Sequence, residues 1–179
     1  MKNISTVVTA LAMIIFPIIL FSPGCMSKTY FHTYSPISER VETSLFKISV
    51  EPIKQDSNFF SLFKVSIENK SSSSLEIDWN KSRYLHNRID RGVFVFKDID
   101  PSSVKNGTVP NSIIPSNANF SLNIAPFSKI SLGKIKEKED GRLKAGMLPE
   151  GENSVLLVLN HNGQVIKKVF SIIIKEEVK

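Results

Sequence analysis

From Thr43 onward, apolar and polar residues alternate with a period of two. Phe46, Ile48 and Val50 alternate with Lys47, Ser49 and Glu51. Successive side chains of an extended chain point to opposite faces, so this pattern predicts a half-buried strand. Phe59, Phe63, Val65 and Ile67 against Lys64, Ser66 and Glu68 predict a second, and Leu75, Ile77 and Trp79 against Glu76 and Asp78 a third. The β-branched and aromatic run Gly92 to Phe96 predicts a fourth. Asn69-Lys70 and Ser71 to Ser74 form a polar loop between the second and third.

Asp100 to Asn119 carries Pro101, Gly107, Pro110 and Pro115 and reads as loop, with a short edge strand at Ser112 to Ile114. Phe120, Leu122 and Ile124 resume the alternation, and another strand is expected after Pro126 through Ile130 and Leu132. Lys136 to Lys144 has room for one or two helical turns before Gly141 interferes. Val155 to Leu159 and Val165 to Ile174 are apolar on both faces, which places them centrally. His161-Asn162-Gly163-Gln164 lies between them, and Asn-Gly between two apolar runs predicts a tight hairpin. Eight or nine short strands at intervals of about ten residues predict an all-β fold, an antiparallel β-sandwich, with a closed barrel as the alternative. The expected core is Phe63, Ile67, Leu75, Ile77, Trp79, Leu157, Leu159, Phe170 and Ile172.

The N-terminus follows another rule. Lys2 is followed by an almost wholly apolar stretch, Thr6 to Phe21, and then by Ser22-Pro23-Gly24-Cys25. A charged start, a short apolar run and small residues at a cleavage point make an export signal. The run is shorter than the ~20 residues of a membrane-spanning helix, and Pro17 interrupts it. Cys25 is the only cysteine. The segment resembles a bacterial lipoprotein signal, with Gly24 before the cysteine. It departs from that pattern at Ser22, where the family has Leu, and Ser22 with Gly24 also fits ordinary secretory cleavage. The resemblance implies lipidation of Cys25 and a membrane anchor. Met26 stands where many lipoproteins retained in the inner membrane carry Asp, so the outer membrane is favoured. The expected organisation is a signal peptide over 1–24, a lipidated tether over 25–42 and the sandwich over 43–179.

Removing 1–24 leaves a chain long enough to bury a core in one domain. The net charge is +6 for the whole chain, and Lys2 is the only charge lost with the signal. This excess is spread among acids, which favours solubility and proximity to anionic lipid rather than nucleic acid.

Candidate chemistry is sparse. His32, His86 and His161 lack metal-ligand spacing and read as surface residues. Asp98 and Asp100 are followed by Pro101 and serines rather than by further calcium ligands, so no metal or cofactor is expected. Ser102-Ser103-Val104-Lys105 matches Ser-x-x-Lys without the partner motifs of the penicillin-binding class. Trp79 is in register with Leu75 and Ile77 and so faces the core, with Asp78 and Asn80 starting a turn. Lys81, Arg83, Arg88 and Arg91 form the one local basic cluster, a solvated loop or a surface for lipid heads, lipopolysaccharide or an acidic protein.

The stretch from Phe60 to Ile135 resembles a group of small bacterial lipoproteins of unknown function. The resemblance rests on Ile67-Glu68-Asn69-Lys70, Ile77-Asp78-Trp79-Asn80-Lys81-Ser82-Arg83-Tyr84, Gly92-Val93-Phe94-Val95-Phe96 and Ile114-Pro115. It implies an immunoglobulin-like sandwich and brings no activity with it. The expectation is a non-catalytic module tethered to the envelope membrane, with an envelope protein as partner. A pilotin- or chaperone-like assembly factor is the alternative.

Overall fold

A computed structural model describes residues 28–36, 39–55, 57–99, 101–130 and 145–179. The residues through Ser27, Cys25 among them, lie outside it, as do residues 131–144, where helical turns and Leu132 were expected.

Two antiparallel sheets face each other, and neither closes on itself. In the first, β1 (Tyr30–Ser35) lies beside β12 (Gln164–Val178), followed by β11 (Gly151–His161), β5 (Leu75–Ile77) and β9 (Ser112–Ile114). A small hairpin, β6 (Arg83–His86) and β7 (Ile89–Asp90), extends β11 next to β5. The second sheet runs β2 (Glu39–Glu42), β3 (Phe46–Lys54), β4 (Phe60–Asn69), β10 (Asn119–Pro126) and β8 (Phe94–Phe96). One short helix, α1 (Pro101–Asn106), spans part of the long loop.

The period-two pattern decides which faces meet. Ile48, Val50, Phe63, Val65 and Ile67 from the second sheet and Ile77, Leu157, Leu159, Phe170 and Ile172 from the first are buried in one cluster. Every residue of the expected core is in it, Trp79 included. Burying each large side chain contributes about 1.5–3 kcal/mol. The hairpin forms as the Asn-Gly signal requires. Asn162 and Gly163 both have positive φ, 51° and 79°, the pair that a type I′ turn needs.

Four features differ from the expectation. The described residues form twelve strands. Two of them, β1 and β2, come from the segment expected to be tether: Tyr30 to Ser35 pairs with Val178 to Ile173, and Glu39 to Glu42 pairs with Val50 to Lys47. Tyr30, His32 and Tyr34 share the inward face of β1 with apolar Phe31 on the other, and β2 turns only Val41 inward as an apolar residue, so neither shows a clean apolar–polar alternation. After Pro126 the chain first makes a 3-10 turn, Phe127–Lys129, and of the strand expected through Ile130 and Leu132 only Ile130, bridged to Ala145, lies among the described residues. The β6–β7 hairpin turns on Asn87 and Arg88, with φ of 49° and 66°. An Asn-Arg turn lacks the glycine that marks such turns in a sequence.

β11 is central, as its two apolar faces require. β12 is flanked by β1 only from Ile173 to Val178, so its first half is an edge, and its outward Val165, Val169 and Ile173 stay exposed.

Candidate functional site

The segment Asp78 to Tyr84 is the most distinctive in the sequence, and its polar groups are committed to partners within the fold. Asp78 starts the turn after β5, where its Oδ1 accepts from Lys81 N–H (3.1 Å) and its carbonyl from Ser82 N–H (3.0 Å). Ser82 Oγ donates to the same carbonyl (2.8 Å) and accepts from Val158 N–H on β11 (3.1 Å). Trp79 is buried, its ring 5.0 Å from Phe96 and its Nε1 donating to Ser112 Oγ at 2.9 Å. Asn80 exchanges two hydrogen bonds with the backbone of Val109 (2.8 and 2.9 Å), fixing the loop after α1. Tyr84 donates to Asn153 Oδ1 at 2.6 Å, and burial pushes its phenol pKa up. A tryptophan in this position stacks no ligand.

Three of the four basic residues singled out in the sequence carry carboxylate partners. Lys81 pairs with Asp78 (2.9 Å), Arg83 with Asp90 (3.5 Å) and Arg88 with Glu152 (3.3 Å). Arg83 also donates to the carbonyls of Asn80 and Ser82. Arg91 is exposed and has no ion-pair partner among the described residues. The structure thus gathers Lys81, Arg83, Arg88 and Arg91 around the β6–β7 hairpin and answers three of them with carboxylates.

The histidines correct the expectation of surface positions. His161, at the end of β11, is buried, its Nε2 2.9 Å from Ser73 Oγ and 3.1 Å from Ser71 Oγ. Both serines belong to a network around Asn69, which is 1% exposed. Asn69 Nδ2 donates toward the carbonyls of Ser73 (2.8 Å), Pro115 (2.9 Å) and Ile114 (3.1 Å), and its Oδ1 accepts from Ser71 N–H and Oγ–H. Ser71 and Ser73 of the polar loop are therefore tied to Asn69 and His161, while Ser72 and Ser74 stay exposed. His86 is half-buried, its Nε2 2.8 Å from the Glu150 carbonyl.

His32, on the inward face of β1, is 2% exposed and packs against Phe59 (4.8 Å) and Phe60 (6.1 Å). Its Nδ1 has no hydrogen-bond partner. Burial lowers its pKa from the ordinary value of 6.5; Glu176 and Glu150 oppose the shift, and Lys54 adds to it. A lowered folded-state pKa contributes stability that is present above the unfolded value and is lost as pH falls through the folded one. The melting temperature is therefore expected to drop on acidification below pH 6.5, and to drop less in His32→Phe. Identical pH profiles for the two proteins, measured by circular dichroism melts between pH 7.5 and 5, would refute this assignment.

The outer face of the second sheet carries a shallow groove of about 430 Å³, lined by Lys47, Ser49, Lys64, Ser66, Glu68 and Ser121 among others. It arises because the short side chains of Ser49, Ser66 and Ser121 lie in one cross-strand row between longer charged ones. Ser102 and Lys105 lie on α1. Among the described residues no group of three His, Cys, Asp or Glu is placed to hold a metal ion, and no helix is long and apolar enough to cross a membrane. Comparison with family models, with curated proteins and with solved structures gives no match.

Proposed function

We propose that the chain is a non-catalytic module of the bacterial envelope, held to the membrane by lipid on Cys25, that binds or holds another envelope protein. The observation that carries this reading is the single cysteine directly after Gly24, at the end of a short apolar run. An exported protein with no second thiol has no disulfide use for that residue, and a diacylglyceryl group on it supplies the two chains that stable anchoring needs. The resemblance of Asp78 to Tyr84 and its neighbours to small bacterial lipoproteins with an immunoglobulin-like sandwich points the same way. The polar groups of that segment serve the fold, which suits a scaffold better than an enzyme. Met26 after the cysteine favours the outer membrane, and neither nucleic acid nor a cofactor has a part. A pilotin- or chaperone-like assembly factor is the second reading, favoured by an open strand edge in the first sheet.

Mass spectrometry of the mature protein is expected to find an acylated peptide beginning at Cys25. Cys25→Ser is expected to lose that modification and to leave the membrane fraction if the signal is still cleaved. A wild-type mature protein beginning with an unmodified Cys25 would refute the anchor.

A further inference from the structure

β1 accompanies β12 only from Ile173 to Val178. From Val165 to Val169, β12 has β11 on one side and, among the described residues, no strand on the other. Backbone groups of an antiparallel ladder alternate sides residue by residue, and two observations fix the phase. Thr29 and Lys179 exchange both backbone hydrogen bonds on the β1 side (3.2 and 2.9 Å), and the Ser171 N–H donates to the Glu39 carboxylate on that same side. Odd-numbered residues of β12 therefore direct N–H and C=O away from β11. Val165, Lys167 and Val169 present a row of backbone groups that nothing among the described residues pairs.

The side chains of that row are unusual for an edge. Val165 and Val169 are 56% and 50% exposed, with exposed Lys167 between them and half-buried Lys168 on the opposite face. Neither lysine has an ion-pair partner among the described residues. The other open edges are short, charged or partly covered. On the outer side of β1 the His32 N–H is taken by the Asn58 carbonyl at 3.1 Å, β2 is short and charged at Glu39, Arg40 and Glu42, β7 has two residues, and β8 and β9 have three each. A second copy pairing two-fold about Lys167 would set lysine against lysine, and directly opposed like charges destabilise a strand pair.

We propose that the Val165–Val169 edge of β12 accepts an extended segment of a different protein as an added antiparallel strand. That segment carries apolar side chains opposite Val165 and Val169 and a carboxylate opposite Lys167. Main-chain hydrogen bonds give such strand addition its affinity, and the alternate side chains give its specificity. The proposal rests on the reading of the chain as a binding module and names the surface and partner chemistry for it.

The test uses the full chain in detergent micelles and a labelled heptapeptide, Thr-Val-Thr-Glu-Thr-Val-Thr, followed by fluorescence anisotropy. The expected result is saturable binding. It should weaken at least tenfold when the peptide's Glu is replaced by Lys, and at least tenfold when alternate peptide nitrogens on the pairing edge are methylated. The methylated probe removes donors without altering the protein, so its result does not depend on a variant folding. Lys167→Glu should reverse the preference between the Glu and Lys peptides. No binding at millimolar peptide, equal binding of both charge forms, or undiminished binding of the methylated probe would overturn the proposal. So would a concentration-dependent dimer abolished by Lys167→Glu, which would make the occupant a second copy. An unacylated Cys25 would sink the anchor alone, whereas failed peptide binding on an acylated protein would sink this edge alone.

Discussion

Trp79→Ala is expected to lower the unfolding free energy by about 3–5 kcal/mol, the range for deleting a large aromatic side chain from a packed core. Trp79 is 1% exposed and packs on Phe96, so truncation leaves a void between the sheets that the flanking strands cannot close without losing register. It also leaves Ser112 without the indole donor that ties β9 to the turn after β5. Trp79→Phe should retain most of the packing and lose chiefly that bond, at about 1–2 kcal/mol. Urea denaturation of both variants checks the pair. An alanine variant with an unchanged midpoint would mean that the side chain is solvent-exposed and free for a ligand.

Asn69→Ala comes second, at about 2–3 kcal/mol, because removing one member of a buried network strands the groups it satisfied. The amide is the shared partner of three carbonyls from two loops and of the Ser71 N–H and hydroxyl. Its loss should loosen Ser71 to Ser74 and the Ile114-Pro115 turn together. Hydrogen-exchange mass spectrometry is expected to show faster exchange in both segments, while β3 stays protected. Slower unfolding, or exchange altered in only one segment, would contradict the network.

The sandwich was legible in the sequence because burial against a second sheet imposes a period of two, and Phe46 to Val50 or Phe63 to Ile67 obey it without exception. The Asn162-Gly163 turn was legible because only a few residue types tolerate its backbone. Much of what escaped has its determinant in residues distant in sequence. Tyr30 to Ser35 looks like tether until β12 is beside it. Asn87-Arg88 makes a turn that its residue types do not advertise. Asn69, Ser71, Ser73 and His161 read as loop polarity because their partners come from three separate segments. The basic cluster was legible as a position, but the answering Glu152 on β11 could be found only in three dimensions. The open half of β12 was hidden for the opposite reason. Its apolar run implied a fully covered strand, and only the shortness of β1 exposes it.

The pairing of β1 with the far end of β12 also sets an order of events. Contacts between segments so distant along a chain form late, because the entropy of closing the intervening loop must be met before they stabilise anything. Tyr30 to Ser35 finds its ladder only once β12 is in place on β11. During synthesis, the leading portion of the domain thus stays an unpaired strand. Only when the trailing hairpin has emerged does the sandwich lock, drawing the N-terminal segment onto it as the final stave.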